Sequence, residues 1–282
     1  MTTTRSGALA LAAMMAASPV LAACPPAATM QAAAQGWLAG ERLPDPQVGS
    51  INDAACAYAA YRGAIEAEMG APVGVKVGFT SRPAQERFGV TAPVAGALFA
   101  PMILQDGATV PLAGSRAPFY EADLIVTVAD PAIMQATTRE QVAAALDEVR
   151  PFIELPDMAV TEGLKPTGPI MAAYGVMPWR GVIGPGVKIA DLPDPVADLA
   201  ALTVELKADG KPVAAGTGDM LLGHPLDVVL WLIAQGGFAL DKGTMISLGS
   251  LSPLTPAAPG VALAADYSIG GKPMRVTATL AD

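Results

Sequence analysis

Glu121 and Asp123 stand two residues apart in Phe119-Tyr120-Glu121-Ala122-Asp123-Leu124-Ile125-Val126-Thr127-Val128, a run that otherwise has the texture of a buried β-strand. Side chains alternate between the two faces of a strand, so both carboxylates point the same way. Ile125 and Thr127 continue their face, and Leu124, Val126 and Val128 make the other face apolar. Buried without a partner, neighbouring carboxylates cost several kcal/mol or force one of them to protonate. A cation between them removes the conflict. A second apolar run, Phe152-Ile153-Glu154-Leu155-Pro156-Asp157, carries Glu154 and Asp157 as sources of a third ligand. Carboxylates with no histidine or thiolate among them suit a hard, oxygen-loving ion, Mg²⁺ or Mn²⁺, better than Zn²⁺. The competing reading is an edge strand whose acids face water.

Lys76 is the next residue with chemistry to offer. It stands alone in the strand-like run Val73-Gly74-Val75-Lys76-Val77-Gly78-Phe79-Thr80. A solvated strand lysine is one reading. The flanking glycines also suit an anion that must approach the backbone closely. His224 is the only histidine, in Leu222-Gly223-His224-Pro225, and its position at a helix start gives it a hydrogen bond that fixes the turn. A solitary histidine excludes a multi-histidine metal site. No G-x-S-x-G elbow, phosphate-binding lysine loop or dinucleotide-binding glycine fingerprint is present, and Gly216-Thr217-Gly218-Asp219 reads as a turn.

The elements that must position these groups come from a chain of 282 residues, 52% hydrophobic and 15% charged, enough for one sizeable domain. The net charge is −9 and Lys and Arg form no cluster, so the electrostatic footprint of a nucleic-acid partner is missing. Residues 1–23 have the form of an export signal: Arg5 first, a short apolar stretch from Ala8 to Ala17, then small residues. That stretch is too short to span a membrane. Two readings of the cleavage region stand side by side. Leu21-Ala22-Ala23-Cys24 resembles a lipobox, which would lipidate Cys24 and anchor the protein. Cleavage after Ala22 would instead leave Cys24 to pair with Cys56, the only other cysteine, as exported chains commonly allow. Either way the expected location is the periplasm or cell envelope.

An Ala-rich helix is expected from Ala27 to Leu43, and a second from about Asn52 to Gly70, so that residues 24–72 form an N-terminal helical segment. Beyond it, short apolar runs broken by Gly and Pro indicate strands. Asp209-Gly210 and Gly270-Gly271 mark hairpins, and one helix runs from about Pro225 to Gly236.

Taken in order, Gly74-Val75-Lys76-Val77-Gly78-Phe79-Thr80-Ser81, Glu121-Ala122-Asp123, Phe152-Ile153-Glu154-Leu155-Pro156-Asp157, Leu222-Gly223-His224-Pro225 and Leu248-Gly249-Ser250-Leu251 resemble the fumarylacetoacetate hydrolase superfamily. Within it the branch is that of 2-keto-4-pentenoate hydratases and oxalocrotonate decarboxylases. The resemblance implies an α+β fold with a mixed-sheet catalytic domain over residues 73–282, in which Glu121, Asp123 and Glu154 hold one Mg²⁺ or Mn²⁺. It implies small 2-oxo or enol acids as substrates, Lys76 as the catalytic lysine beside the substrate carboxylate, and Gly249, Ser250 and Leu251 as a substrate-side loop. Relatives of this kind often form homo-oligomers. The acid that such hydratases commonly carry after the lysine strand is replaced in Pro93-Val94-Ala95-Gly96 by Val94, and an Ala-Asp-Asn stretch becomes Ala172-Ala173-Tyr174. Glu86, Tyr174 or a metal-bound water are the substitutes. The expected function is an exported, metal-dependent hydratase-like lyase, with decarboxylase or tautomerase as related outcomes. The alternative is a non-catalytic envelope protein that binds a small carboxylate on the same fold.

Overall fold

The computed structural model describes residues 24–282. The expected export signal lies outside the described residues. Two helices open the described chain, Ala27–Leu38 and Ile51–Met69. The first stops at Leu38, short of the expected Leu43, because Leu43 leaves the helix to bridge Val160 in parallel. The second is capped by Ser50, whose hydroxyl accepts from the Asp53 N–H, so the cap lies two residues before Asn52. Its N-terminal turn places Cys56 beside Cys24, and the two are joined in a disulfide.

Among the described residues the strands form two sheets. In the nine-stranded sheet the order is Val94–Phe99, Pro72–Gly78, Met245–Ser250, Phe119–Val128, Leu146–Leu155, Arg180–Ile183 and Ile103–Gln105, with two short strands attached at its sides. Pro72–Gly78 runs parallel to Met245–Ser250, whereas Phe119–Val128 is antiparallel to both of its neighbours. The five-stranded sheet contains both expected hairpins, Thr203–Ala208 with Lys211–Thr217 and Ala262–Ile269 with Lys272–Ala281.

Alternation along the large sheet separates its two faces. Val75, Val77, Ala122, Leu124, Val126, Ile153 and Leu155 belong to one continuous core that also takes in Met30 and Trp37 of the first helix and Tyr61 and Ile65 of the second. The helical segment therefore shares the core of the sheet. Lys76, Ser247, Asp123, Glu121 and Glu154 occupy the other face. Tyr267 reaches across from the five-stranded sheet and donates its hydroxyl to the Asp123 carbonyl, 2.6 Å away, which ties the two sheets together at the acidic strand. Among the described residues, no helix is long and apolar enough to cross a membrane.

The disulfide closes a separation of 32 residues, and a loop of that size is expected to contribute about 3–4 kcal/mol through chain entropy. Urea unfolding of Cys56→Ser against the parent should show a loss of that order. Equal midpoints, or an intact mass lacking the two-hydrogen deficit, would contradict the pairing.

Candidate active site

The register of the sheet brings the acids together. Glu121 pairs with Glu154 across adjacent antiparallel strands, and Asp123 lies two residues further along on the same face. Two strands from Phe119–Val128, on the far side of Met245–Ser250, Lys76 is in register with Ser247. The Lys76 ammonium makes an ion pair with Glu154 and donates to the Val176 carbonyl at 3.3 Å. Lys76 is 5% exposed, so the reading of a solvated strand lysine is overturned.

Asp123 is fully enclosed. Its Oδ1 accepts from the N–H groups of Leu124 and Gly249, at 2.5 and 3.0 Å, and its Oδ2 accepts from the Ser247 hydroxyl at 2.7 Å. Gly249 can aim its N–H this way because its φ is +104°, where a Cβ would also collide with the Thr80 hydroxyl. Glu154 is different: its buried carboxylate takes no backbone or hydroxyl donor, and its polar partners are the Lys76 ammonium and the neighbouring Glu121 carboxyl. Glu121 sits beside it. Burial pushes the Glu121 carboxyl well above the usual carboxylate range, and the negative charge of Glu154 adds to the shift. Asp123 is raised to about 7, first by burial and then by Glu154. Lys76 is held above the ordinary lysine value although burial opposes its charge, because Glu154 and then Glu121 and Asp123 favour the ammonium. As arranged, the acids are not gathered around one point: among the described residues no three His, Cys, Asp or Glu groups stand ready to hold a metal ion.

These groups form the inner end of a cavity of about 340 Å³ lined by Lys76 and Glu121. Asp123 and Glu154 lie behind that lining. Phe79, Met171 and Val176 supply apolar walls. Phe79 and Val176 both have positive φ, 59° and 61°. For a β-branched residue that is a strained conformation, retained where it turns the Val176 carbonyl toward Lys76.

The remaining expectations divide. Gly249 and Ser250 line the cavity. Leu251 does not: it is fully buried in the core, and its N–H donates to the Ala122 carbonyl, so its assignment to a substrate-side loop is corrected. Asp157 is not a third ligand. Its carboxylate accepts from the backbone N–H groups of Arg116 and Ala117 and pairs with the Arg116 guanidinium, which fixes the loop leading into the acidic strand. Glu86 pairs with Arg82 in solvent. Tyr174 faces a separate small cavity under the N-terminal helices and donates to the Pro44 carbonyl at 2.7 Å. Neither lines the cavity. His224 caps its helix as expected, with Nδ1 accepting from the Leu226 N–H and Nε2 donating to the Val196 carbonyl. Sequence reasoning missed Arg87, Met220 and Leu254, which also line the cavity.

No family model matches the chain. The chain is 34% identical over 197 residues to 2-hydroxyhexa-2,4-dienoate hydratase of Comamonas testosteroni, covering 67% of this chain and 71% of that protein. It is 31% identical over 191 residues to 4-oxalocrotonate decarboxylase of Pseudomonas putida, covering 67% and 70%. Among solved structures, 4-oxalocrotonate decarboxylase from Pseudomonas putida G7, complexed with magnesium and adipate, superposes with a TM-score of 0.77 at 25% identity, over 90% of this chain and 96% of that one. Fumarylpyruvate hydrolase from Pseudomonas aeruginosa, in complex with Mn²⁺ and pyruvate, gives a TM-score of 0.57 at 13% identity over 73% and 88%, a likeness of fold alone. The expected mixed-sheet α+β fold is the one observed.

Two stability outcomes follow from the geometry. Asp123→Ala should cost about 2–3 kcal/mol, because it strands the Ser247 hydroxyl and the Gly249 N–H in the interior, whereas Glu121→Gln should leave the fold as stable or more so. Urea denaturation of both variants checks this, and an unaffected Asp123→Ala would show that its three hydrogen bonds carry no weight. For the metal-free protein, the raised carboxylates mean that the folded state holds protons the unfolded chain has released. Stability should therefore fall as pH rises from about 4, the unfolded value, toward about 7, the value for Asp123. A melting temperature that climbs across that interval would contradict it.

Proposed function

The chain belongs to the family of 2-keto-4-pentenoate hydratases and 4-oxalocrotonate decarboxylases within the fumarylacetoacetate hydrolase superfamily, and from that premise we propose that it is a divalent-metal-dependent lyase acting on small 2-oxo or enol acids, first of all by hydration. The carrying observation is Glu154, a fully buried carboxylate with no backbone or hydroxyl donor, whose one cationic partner is Lys76 and whose other polar neighbour is the Glu121 carboxyl.

The residues fit a divalent ion. Glu121, Asp123 and Glu154 offer only carboxylate oxygens, the donor set of Mg²⁺ or Mn²⁺, and a doubly charged ion would offset the burial and, after it, the mutual repulsion that raise Glu121 and Asp123. When bound, such an ion supplies Lewis acidity that stabilises negative charge developing on a substrate 2-oxygen. The chain does the rest. Glu121, Asp123 and Glu154 would hold the ion, and Lys76, beside Glu154 on the cavity lining, is placed to meet the substrate carboxylate. Held as an ammonium by the neighbouring carboxylates, Lys76 serves that contact as a fixed positive charge. Phe79 and Met171 keep water from the hydrocarbon part of the substrate.

A binding protein without turnover is the second reading, favoured by Val94 in place of the acid and by the placement of Glu86 and Tyr174 away from the cavity. We further propose action outside the cytosol, supported by the leader-like residues 1–23 and by the Cys24–Cys56 disulfide.

Purified protein with Mg²⁺ should consume 2-hydroxypenta-2,4-dienoate, followed by loss of dienol absorbance. Persistent absorbance despite calorimetrically measured metal binding would favour the binding protein. Lys76→Met should lower turnover by about 10²-fold or more and destabilise the metal-free protein by roughly 3 kcal/mol, while Mn²⁺ binding is retained or tightened. Turnover close to the parent's would remove Lys76 from the chemistry.

A further inference from the structure

Tyr174, Gly175, Val176 and Met177 follow the helix Gly168–Ala173. The last three take positive φ in succession, 60°, 61° and 52°. Two of them are not glycine, so the turn is costly and has to be held from outside. Three glycines let it approach the lysine strand. Gly96 lies opposite Lys76 in the antiparallel pair, and a Cβ there would collide with the Gly175 carbonyl. Gly78 is two residues beyond Lys76 on the same face, where a Cβ would collide with the Val176 side chain. A Cβ on Gly175 would strike the Tyr58 ring of the second helix. The space these glycines leave is taken by the turn, which delivers the Val176 carbonyl to the Lys76 ammonium.

Behind the turn stands Tyr174, 1% exposed. Its ring meets the Tyr61 ring edge to face at 5.0 Å, and its hydroxyl donates to the Pro44 carbonyl. Both partners belong to the N-terminal segment that the Cys24–Cys56 disulfide ties together. Tyr174 does not line the main cavity, yet the left-handed run is anchored on it: its carbonyl accepts from the Met177 N–H at 3.1 Å. We infer that Tyr174 is a positioning residue of the active site, bracing the turn whose Val176 carbonyl aims the Lys76 ammonium. An ammonium has three N–H donors. One turns to Glu154 and one to Val176, which leaves the third for a ligand in the cavity that Lys76 lines. Without the carbonyl nothing fixes that division, and the ammonium can turn wholly to the carboxylates. The inference rests on the proposed reading of Lys76 as the partner of the substrate carboxylate.

A double-mutant cycle tests it, read by calorimetric titration of the Mn²⁺-loaded protein with pyruvate, a 2-oxo monocarboxylate. Tyr174→Phe keeps the ring against Tyr61 and loses the hydroxyl, Lys76→Met removes the ammonium, and a third protein carries both changes. Tyr174→Phe should weaken pyruvate binding about fivefold, the equivalent of one lost hydrogen bond, with Mn²⁺ affinity unchanged. Lys76→Met should weaken it by about tenfold or more. In the Lys76→Met background Tyr174→Phe should cost nothing further, whereas a merely structural role would lower affinity alike in both backgrounds. Tyr174→Leu, which loses the ring contact as well, should enlarge the loss wherever Lys76 is present. Unchanged pyruvate affinity in Tyr174→Phe, or an equal loss with and without Lys76, would overturn the positioning role alone. If the parent fails to bind pyruvate, or Lys76→Met binds it as tightly as the parent, the reading of Lys76 falls and the inference with it.

Discussion

Three buried carboxylates share a single buried ammonium. Glu121, Asp123 and Glu154 lie on one face of the large sheet within a few residues of register, and Lys76 is the cation that reaches them. A protein interior holds such an excess of like charge only if protons or a further cation compensate it. The surroundings are arranged accordingly. Asp123 is locked by three donors, Tyr267 pins the acidic strand from the opposite sheet, and Val176 accepts a strained backbone conformation that brings its carbonyl to Lys76. Glu154 receives no comparable support. The arrangement leaves a deficit of positive charge around three acids that would still have to close on one point to share a cation.

Position in the fold turns that deficit into a site. The acids are carried on central strands, not on an edge, so the sheet sets their separation and the core behind it prevents them from turning to water. The cavity opens on the same face, with Lys76 and Glu121 at its inner end and apolar walls beyond. A small acid entering it meets charge at one end and a dry surface along its length. That division suits substrates that must be held by a charged head while a proton moves at a carbon atom.

Much of this was legible in the chain because it depends on local pattern. Strand alternation placed Glu121 and Asp123 on one face, Glu154 stood out as an acid in an apolar run, and the Asp209-Gly210 and Gly270-Gly271 hairpins and the His224 cap carried short-range turn chemistry. What the sequence hid was partnership across distance. Nothing near Asp157 announced that its carboxylate answers the backbone around Arg116, some forty positions earlier, and so its acidity suggested a ligand. Lys76 had the same difficulty in reverse, since Glu154 lies 78 positions away. Leu251 was misplaced because a residue adjacent to a cavity-lining pair can still point into the core. Arg87 went unnoticed because a seven-residue helix has too few turns to reveal which face it presents.

The central claim is that the surplus charge of this cluster belongs to a divalent ion. Crystals soaked with Mn²⁺ and oxalate, measured at the manganese absorption edge, test it most directly. The account predicts an anomalous peak among the carboxylates of Glu121, Asp123 and Glu154, with Lys76 withdrawn from Glu154 toward the oxalate. A map without a peak there, in which Lys76 still contacts Glu154, would contradict it.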